Sequence, residues 1–153
     1  MDRKKKEKVE RRLTRTEKIA MKPRSKWLQE AQAAINSYVR SRDYGDVCIS
    51  CGNKMNWNMV GGAVDSSHYR STGSSPHMRF NIFNVHAGCV KCNRFLSGNI
   101  TDYRIRLIKK IGEKKVLEIE NDNTARNYSI EYLKRIKKIF NRKARMYRKR
   151  LQP

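Results

Sequence analysis

The strongest constraint on this chain is a pair of short cysteine motifs set far apart: Cys48-Ile-Ser-Cys51-Gly52 and Cys89-Val-Lys-Cys92-Asn93, with 37 residues between them. In a C-x-x-C turn both sulfurs face one point, so two such turns complete a tetrahedral Zn²⁺ shell with Zn–S near ~2.3 Å. The metal would then staple two distant segments of the chain. Two disulfides or a redox dithiol are the alternatives. The basic, unexported character of the sequence favours reducing surroundings, and a redox pair has no reason to occur twice. A closed Cys₄ shell keeps no position open for substrate, so chemistry would fall to residues between the motifs.

Composition explains why a staple is needed. The chain has 153 residues, of which 33% are charged and 38% hydrophobic, enough for one small core that needs extra support. Lys and Arg number 36 against 14 Asp and Glu, a net charge of +22, which calls for a strongly anionic partner, nucleic acid first. The excess sits at the ends. Residues 1–26 carry 12 basic and 4 acidic side chains, residues 126–153 carry 11 and 1, and the middle carries 13 and 9. Arg3 to Arg15 reads as a mobile arm, and cations at both ends are expected to contact phosphates and displace counterions. No stretch approaches the ~20 apolar residues of a membrane span, and no apolar signal core follows the basic start, so a soluble, cytoplasmic protein is expected.

Periodicity places the elements. Trp27, Leu28, Ala31, Ile35, Tyr38 and Val39 recur at helical spacing over Ser25 to Arg42, with Ser25 as a possible N-cap. From Tyr44 to Phe83, glycines, serines and Pro76 break the pattern into loops and a short hairpin. Asn99 and Asp102 mark a helix start, and Tyr103, Leu107, Ile108 and Ile111 share a face until Gly112. A short helix is expected over Lys114 to Glu120. From Ser129, Ile130, Leu133, Ile136, Phe140 and Tyr147 form one stripe of a long cationic helix, a packing or dimer face. Lys134, Lys137, Lys138 and Arg142 on its other sides are candidate nucleic-acid contacts. The fold class is therefore α+β and mostly helical, with a basic arm over 1–23, a zinc-containing domain over 24–122 and a basic C-terminal helix over 123–153.

All three histidines, His68, His77 and His86, lie between the cysteine pairs, with Asp65, Asn81 and Asn84 nearby and Asn93 directly after Cys92. In this order the chain resembles the HNH endonucleases, in which a hairpin and a following helix pinch a divalent metal. It is more closely similar to the phage lambda NinG (Rap) recombination nuclease family, through Asp65-x-x-His68-Tyr-Arg70, Pro76-His-Met-Arg79-Phe-Asn81, Asn84-x-His86, Cys89-Val-x-Cys-Asn93 and Ser97-Gly-Asn. The resemblance covers roughly residues 24 to 122. It implies a small ββα-metal core and gives each matched position a role.

By that resemblance His68 is the general base and Asn84 the central asparagine that holds the histidine loop. Asn93 is the third position, a ligand of catalytic Mg²⁺ or Mn²⁺. The wider HNH group commonly has a metal-binding residue just before the histidine; here it is Ser67, so Asp65 is the expected second ligand, provided a bulge in the strand brings it round. His86 and His77 are reserve ligands, and Arg70, Arg79 and Arg94 are further candidate DNA contacts. Imidazole, with an ordinary pKa near ~6.5, suits the base role, and hard cations suit oxygen ligands. The implied function is cleavage of branched DNA in recombination, such as Holliday junctions or forks, in the host cytoplasm if the gene is a phage's. A homodimer would match a two-fold substrate. The competing readings are a non-catalytic zinc-dependent recombination accessory protein and an RNA-binding protein of ribosomal type.

Overall fold

The computed structural model describes residues 14–59 and 62–151. Its larger core is the seam between helix α2 (Arg24–Arg42) and helix α5 (Ile130–Leu151). On α2, Trp27, Ala31, Ala34, Ile35, Tyr38 and Val39 are buried; on α5, Leu133, Ile136, Phe140 and Ala144 are. The three alanines let the backbones approach, and the large residues fill the space left, each contributing on the order of 1.5–3 kcal/mol by burial. Tyr38 packs against Phe140 and Tyr147, with ring centroids 5.1 and 5.7 Å apart. The α5 stripe that the sequence offered as a packing or dimer face is thus covered by the apolar side of α2 within one chain.

The C-terminus of α2 is locked onto the hairpin by a buried ion pair. Arg42 donates to both Asp43 carboxylate oxygens at 2.6 and 2.8 Å and to the carbonyls of Ile82 and Val85. Asp43 also accepts the amide of Ala87 at 2.9 Å. Burial works against the Asp43 carboxylate, but the Arg42 guanidinium outweighs it and holds the pKa below the ordinary value.

The hairpin pairs β1 (Val64–His68) antiparallel with β2 (Val85–Cys89), in unbroken register from Val64↔Cys89 to His68↔Val85. Loop 69–84, with one 3₁₀ turn at Pro76–Met78, joins the strands, and a π-helical turn, Lys91–Phe95, follows β2. Helices α3 (Ile100–Ile111) and α4 (Glu113–Asn121) then cover the loop through a second core of Ile49, Tyr69, Met78, Tyr103, Leu107, Val116 and Ile119. The result is an α+β fold with a two-stranded sheet and mostly helical mass.

Several boundaries differ from the sequence reading in instructive ways. Helix α2 starts at Arg24 with Pro23 in the cap position, so Ser25 lies inside it. Asn99 does precede α3, but with φ +47° its side chain donates to Asp102 and leaves the helix amides alone. A further helix, α1 (Arg15–Ala20), was not expected, although Thr14 and Glu17 form a capping box that the sequence displays. Residues 3–13 of the expected mobile arm lie outside the described residues. Among the described residues no helix is long and apolar enough to cross a membrane.

Candidate metal centre and active site

The two cysteine turns meet. Cys48 and Cys51 follow α2, Cys89 ends β2 and Cys92 sits in the π-helical turn, and their four sulfurs lie within 4.8 Å of one another. A tetrahedron of sulfurs ~2.3 Å from zinc has edges of about 3.8 Å; Cys51 Sγ and Cys89 Sγ are 4.0 Å apart. All four are free thiols. Each knuckle is shaped for thiolates: the Cys89 amide donates to Cys48 Sγ at 3.3 Å and the Cys92 amide to Cys89 Sγ at 3.4 Å. Gly52, at φ +75°, supplies the left-handed turn after the first pair. Burial disfavours a Cys48 thiolate, yet the amides of Cys89, Cys51 and Ser50 bring its pKa down to about 7. Burial and its bonding to Cys89 and Cys51 push the Cys92 thiol the other way. Sulfurs this crowded ionise together only around a cation, and the donor set suits zinc.

Beside this centre lies an open cleft of about 810 Å³, lined among others by Ser66, His68, Arg70, Asn93 and Glu120. His68 stands at the end of β1, and its Nε2 lies 3.1 Å from the Arg79 carbonyl oxygen. A carbonyl only accepts, so Nε2 carries the proton and Nδ1 is left as the basic nitrogen. Burial holds the imidazole below its ordinary pKa, in the neutral form a base requires. The loop that provides the Arg79 carbonyl is held by Asn84, which is fully buried. Its Oδ1 accepts the Arg70 amide at 2.8 Å, and its Nδ2 donates to the Arg70 and Met78 carbonyls at 3.0 and 3.4 Å. Its own carbonyl accepts the Tyr69 amide at 2.8 Å.

The family model described as "Bacteriophage Lambda NinG protein" matches residues 1–150. The chain belongs to the NinG family. It is 42% identical over 126 residues to the NinG protein of Escherichia phage lambda, a span of 82% of this chain and 59% of that protein. The NinG proteins of Escherichia phage 933W and Salmonella phage P22 are 40% and 41% identical over the same length, with 60% of each covered. The chain therefore spans about three fifths of the curated relatives it matches. No solved structure matches it.

Within this NinG-family chain, the other residues picked from sequence separate by position. Asn93 lines the cleft with His68, and its Nδ2 donates to Asp65 Oδ2 at 3.0 Å. Asp65 itself is held by Arg94, at 2.8 Å to each oxygen, which lowers its pKa, and it lines a different cleft. The strand bulge expected to bring it round is absent from the β1–β2 register. His86 is buried against the Tyr103 hydroxyl, and burial drives its pKa down to about 3. His77 Nε2 meets the Asp122 carbonyl at 2.6 Å. Neither lines the His68 cleft. Arg70 caps the end of α4 through the Ile119, Glu120 and Asp122 carbonyls, and Arg79 reaches Gln32 and the Thr72 carbonyl.

On α5, Lys137 pairs with Glu30 at 2.8 Å and, like Lys134, lies over the Trp27 ring. Lys138 and Arg142 have no acidic partner among the described residues. Sequence reading missed Glu120, a carboxylate on the cleft wall that accepts the Tyr69 hydroxyl and the Arg104 guanidinium. Only the packing of α4 over loop 69–84 brings it there, and no local motif marks it.

Proposed function

We propose that this chain is a metal-dependent DNA endonuclease of the HNH type, with β1, β2 and the turn after them as its ββα-metal core. The observation that carries the reading is the 3.1 Å contact of His68 Nε2 with the Arg79 carbonyl, which calls for Nε2–H and leaves Nδ1 as the basic nitrogen of a residue lining the same cleft as Asn93. Asn93 completes the fit. Its amide hydrogen-bonds Asp65, its Oδ1 has no protein donor among the described residues, and a neutral oxygen suits a hard cation such as Mg²⁺ or Mn²⁺. When bound, that cation supplies positive charge to the phosphate and to the departing 3′ oxygen. His68 takes the proton of the attacking water at Nδ1, and the neutral ring is ready to do so because burial disfavours imidazolium. Asn84 keeps the Arg79 carbonyl, and hence the ring, in place.

The family resemblance directs this activity to branched recombination intermediates, with DNA gripped by the cationic surface. Symmetric cutting of a two-fold junction would use two copies, whose contact would lie away from the α2–α5 seam. The deciding experiment measures cleavage of labelled four-way and forked DNA with added Mg²⁺ or Mn²⁺. His68→Ala should lower the rate by ~10²–10⁴-fold while zinc content and DNA affinity stay at wild-type levels. Undiminished cutting by the variant would remove His68 as the base. A wild-type protein that binds the same DNA but never cuts it would leave the zinc-dependent binding protein as the reading.

A further inference from the structure

A second cleft, of about 750 Å³, includes Asp65 of β1 in its lining and is unused by the mechanism above. Arg40, Arg94 and Arg148 line it against the single carboxylate of Asp65, and Tyr44 and Trp57 lie on its wall. Arg94 is paired with Asp65. Arg40 and Arg148, from α2 and α5, are exposed, and Arg40 adds its field to that of Arg94 on Asp65; three guanidinium groups against one carboxylate leave the cleft with uncompensated positive charge. The aromatic pair is built and fixed: ring centroids 5.3 Å apart and planes inclined at 54°. Tyr44 hydroxyl donates to Asn58 Oδ1 at 3.2 Å, and Trp57 Nε1 donates to the Asp46 carbonyl at 3.2 Å. Their polar ends are thus occupied and their apolar faces remain partly exposed, 45% for Tyr44.

We propose that this cleft binds an unpaired DNA strand, with a base stacked on Trp57 and bounded by the tilted Tyr44 ring, and the flanking phosphates on Arg40 and Arg148. A charged groove alone fits any DNA backbone; it is the aromatic faces that choose, because paired bases within a duplex have no free face to stack on protein. The volume lies within the range of pockets that enclose a small ligand. The inference deepens the nuclease reading and rests on it for the strand's role: the substrate carries an unpaired segment beside the scissile phosphate. Asp65 joins the two clefts, since it accepts from Arg94 on one side and from Asn93 on the other.

The test uses the full chain without added divalent cation, a labelled oligothymidylate of about twelve nucleotides and a duplex of the same length. Trp57→Ala should weaken oligothymidylate binding about ten-fold and duplex binding less than about two-fold, and Trp57→Phe should keep most of the affinity. Arg148→Ala should reduce the salt slope for the oligothymidylate by about 0.7. The oligothymidylate should also quench tryptophan fluorescence in the wild type and not in Trp57→Phe, since the other tryptophan, Trp27, is buried on α2. Equal loss for both DNAs in Trp57→Ala, or no loss for either, overturns the proposal. Cleavage is scored separately. A protein that holds the oligothymidylate through Trp57 but never cuts refutes the nuclease and keeps this site; one that cuts with Trp57 irrelevant does the reverse.

Discussion

The sulfur centre and the His68 cleft adjoin the same hairpin, yet their polar groups are satisfied in opposite ways. Cys48, Cys51, Cys89 and Cys92 turn towards one another, within 4.8 Å, so that one enclosed cation would satisfy all four. His68 and Asn93 are held by the Arg79 carbonyl and by Asp65, and His68 Nδ1 and Asn93 Oδ1 have no protein partner among the described residues. A closed arrangement stores folding energy and an open one makes chemistry available. The difference predicts that substitutions at the first should cost structure and at the second should cost function.

The largest effect is expected at the sulfurs. Cys48→Ala should lose bound zinc and with it cooperative unfolding of the hairpin and α3, because in small metal domains metal affinity is folding energy, apparent values being about 10–16 kcal/mol. Metal analysis with far-UV dichroism and a melting curve measures this. A metal-free variant that melts like the wild type would show that the knuckles are held by packing and that the comparison is false.

Asn84→Ala sits between the two cases and sharpens the contrast. The side chain is fully buried and bonds Arg70 twice and Met78 once, so its loss strands the Arg70 amide and carbonyl at roughly 2–3 kcal/mol. The protein should stay folded with zinc bound. On the proposed nuclease reading its cleavage rate should fall by about 10²-fold, since displacement of the loop moves the carbonyl bonded to His68, and errors of ~1 Å are that costly. Equal losses in stability and none in rate would make Asn84 a loop brace with no part in aiming the ring.

What could be read from sequence follows the range of the interactions. The meeting of 48–51 with 89–92 was legible because two turns of fixed geometry admit few solutions around one ion. The apolar stripes of α2 and α5 were legible as stripes, but their pairing was not: periodicity marks a face and says nothing of what covers it. His68 and Asn93 line one cleft, a proximity that the order of residues by itself does not fix. Asp65 was harder, because strand parity and the Arg94 pair, neither visible in a motif, decide which cleft it lines. Glu120 and the Trp57–Tyr44 platform depend wholly on chain segments brought together by folding.

The smallest expected effect concerns α5, where residues chosen alike from sequence play different parts. Lys137 bonds Glu30 and, with Lys134, covers the Trp27 ring, so these two ammonium groups are already engaged by the protein. Lys138 and Arg142 are exposed with no acidic partner among the described residues. A cation that contacts phosphate contributes about 0.9 to the slope of log K against log salt for duplex DNA. The double variant Lys138→Ala/Arg142→Ala should therefore flatten the slope by up to about 1.8 at unchanged melting temperature. Lys134→Ala/Lys137→Ala should change the slope less and lower the melting temperature slightly, because it leaves both the Trp27 ring and Glu30 with Lys22 alone. Identical slopes for the two pairs would mean that DNA recruits all four cations regardless of their partners, and the division between engaged and available groups would not extend to this helix.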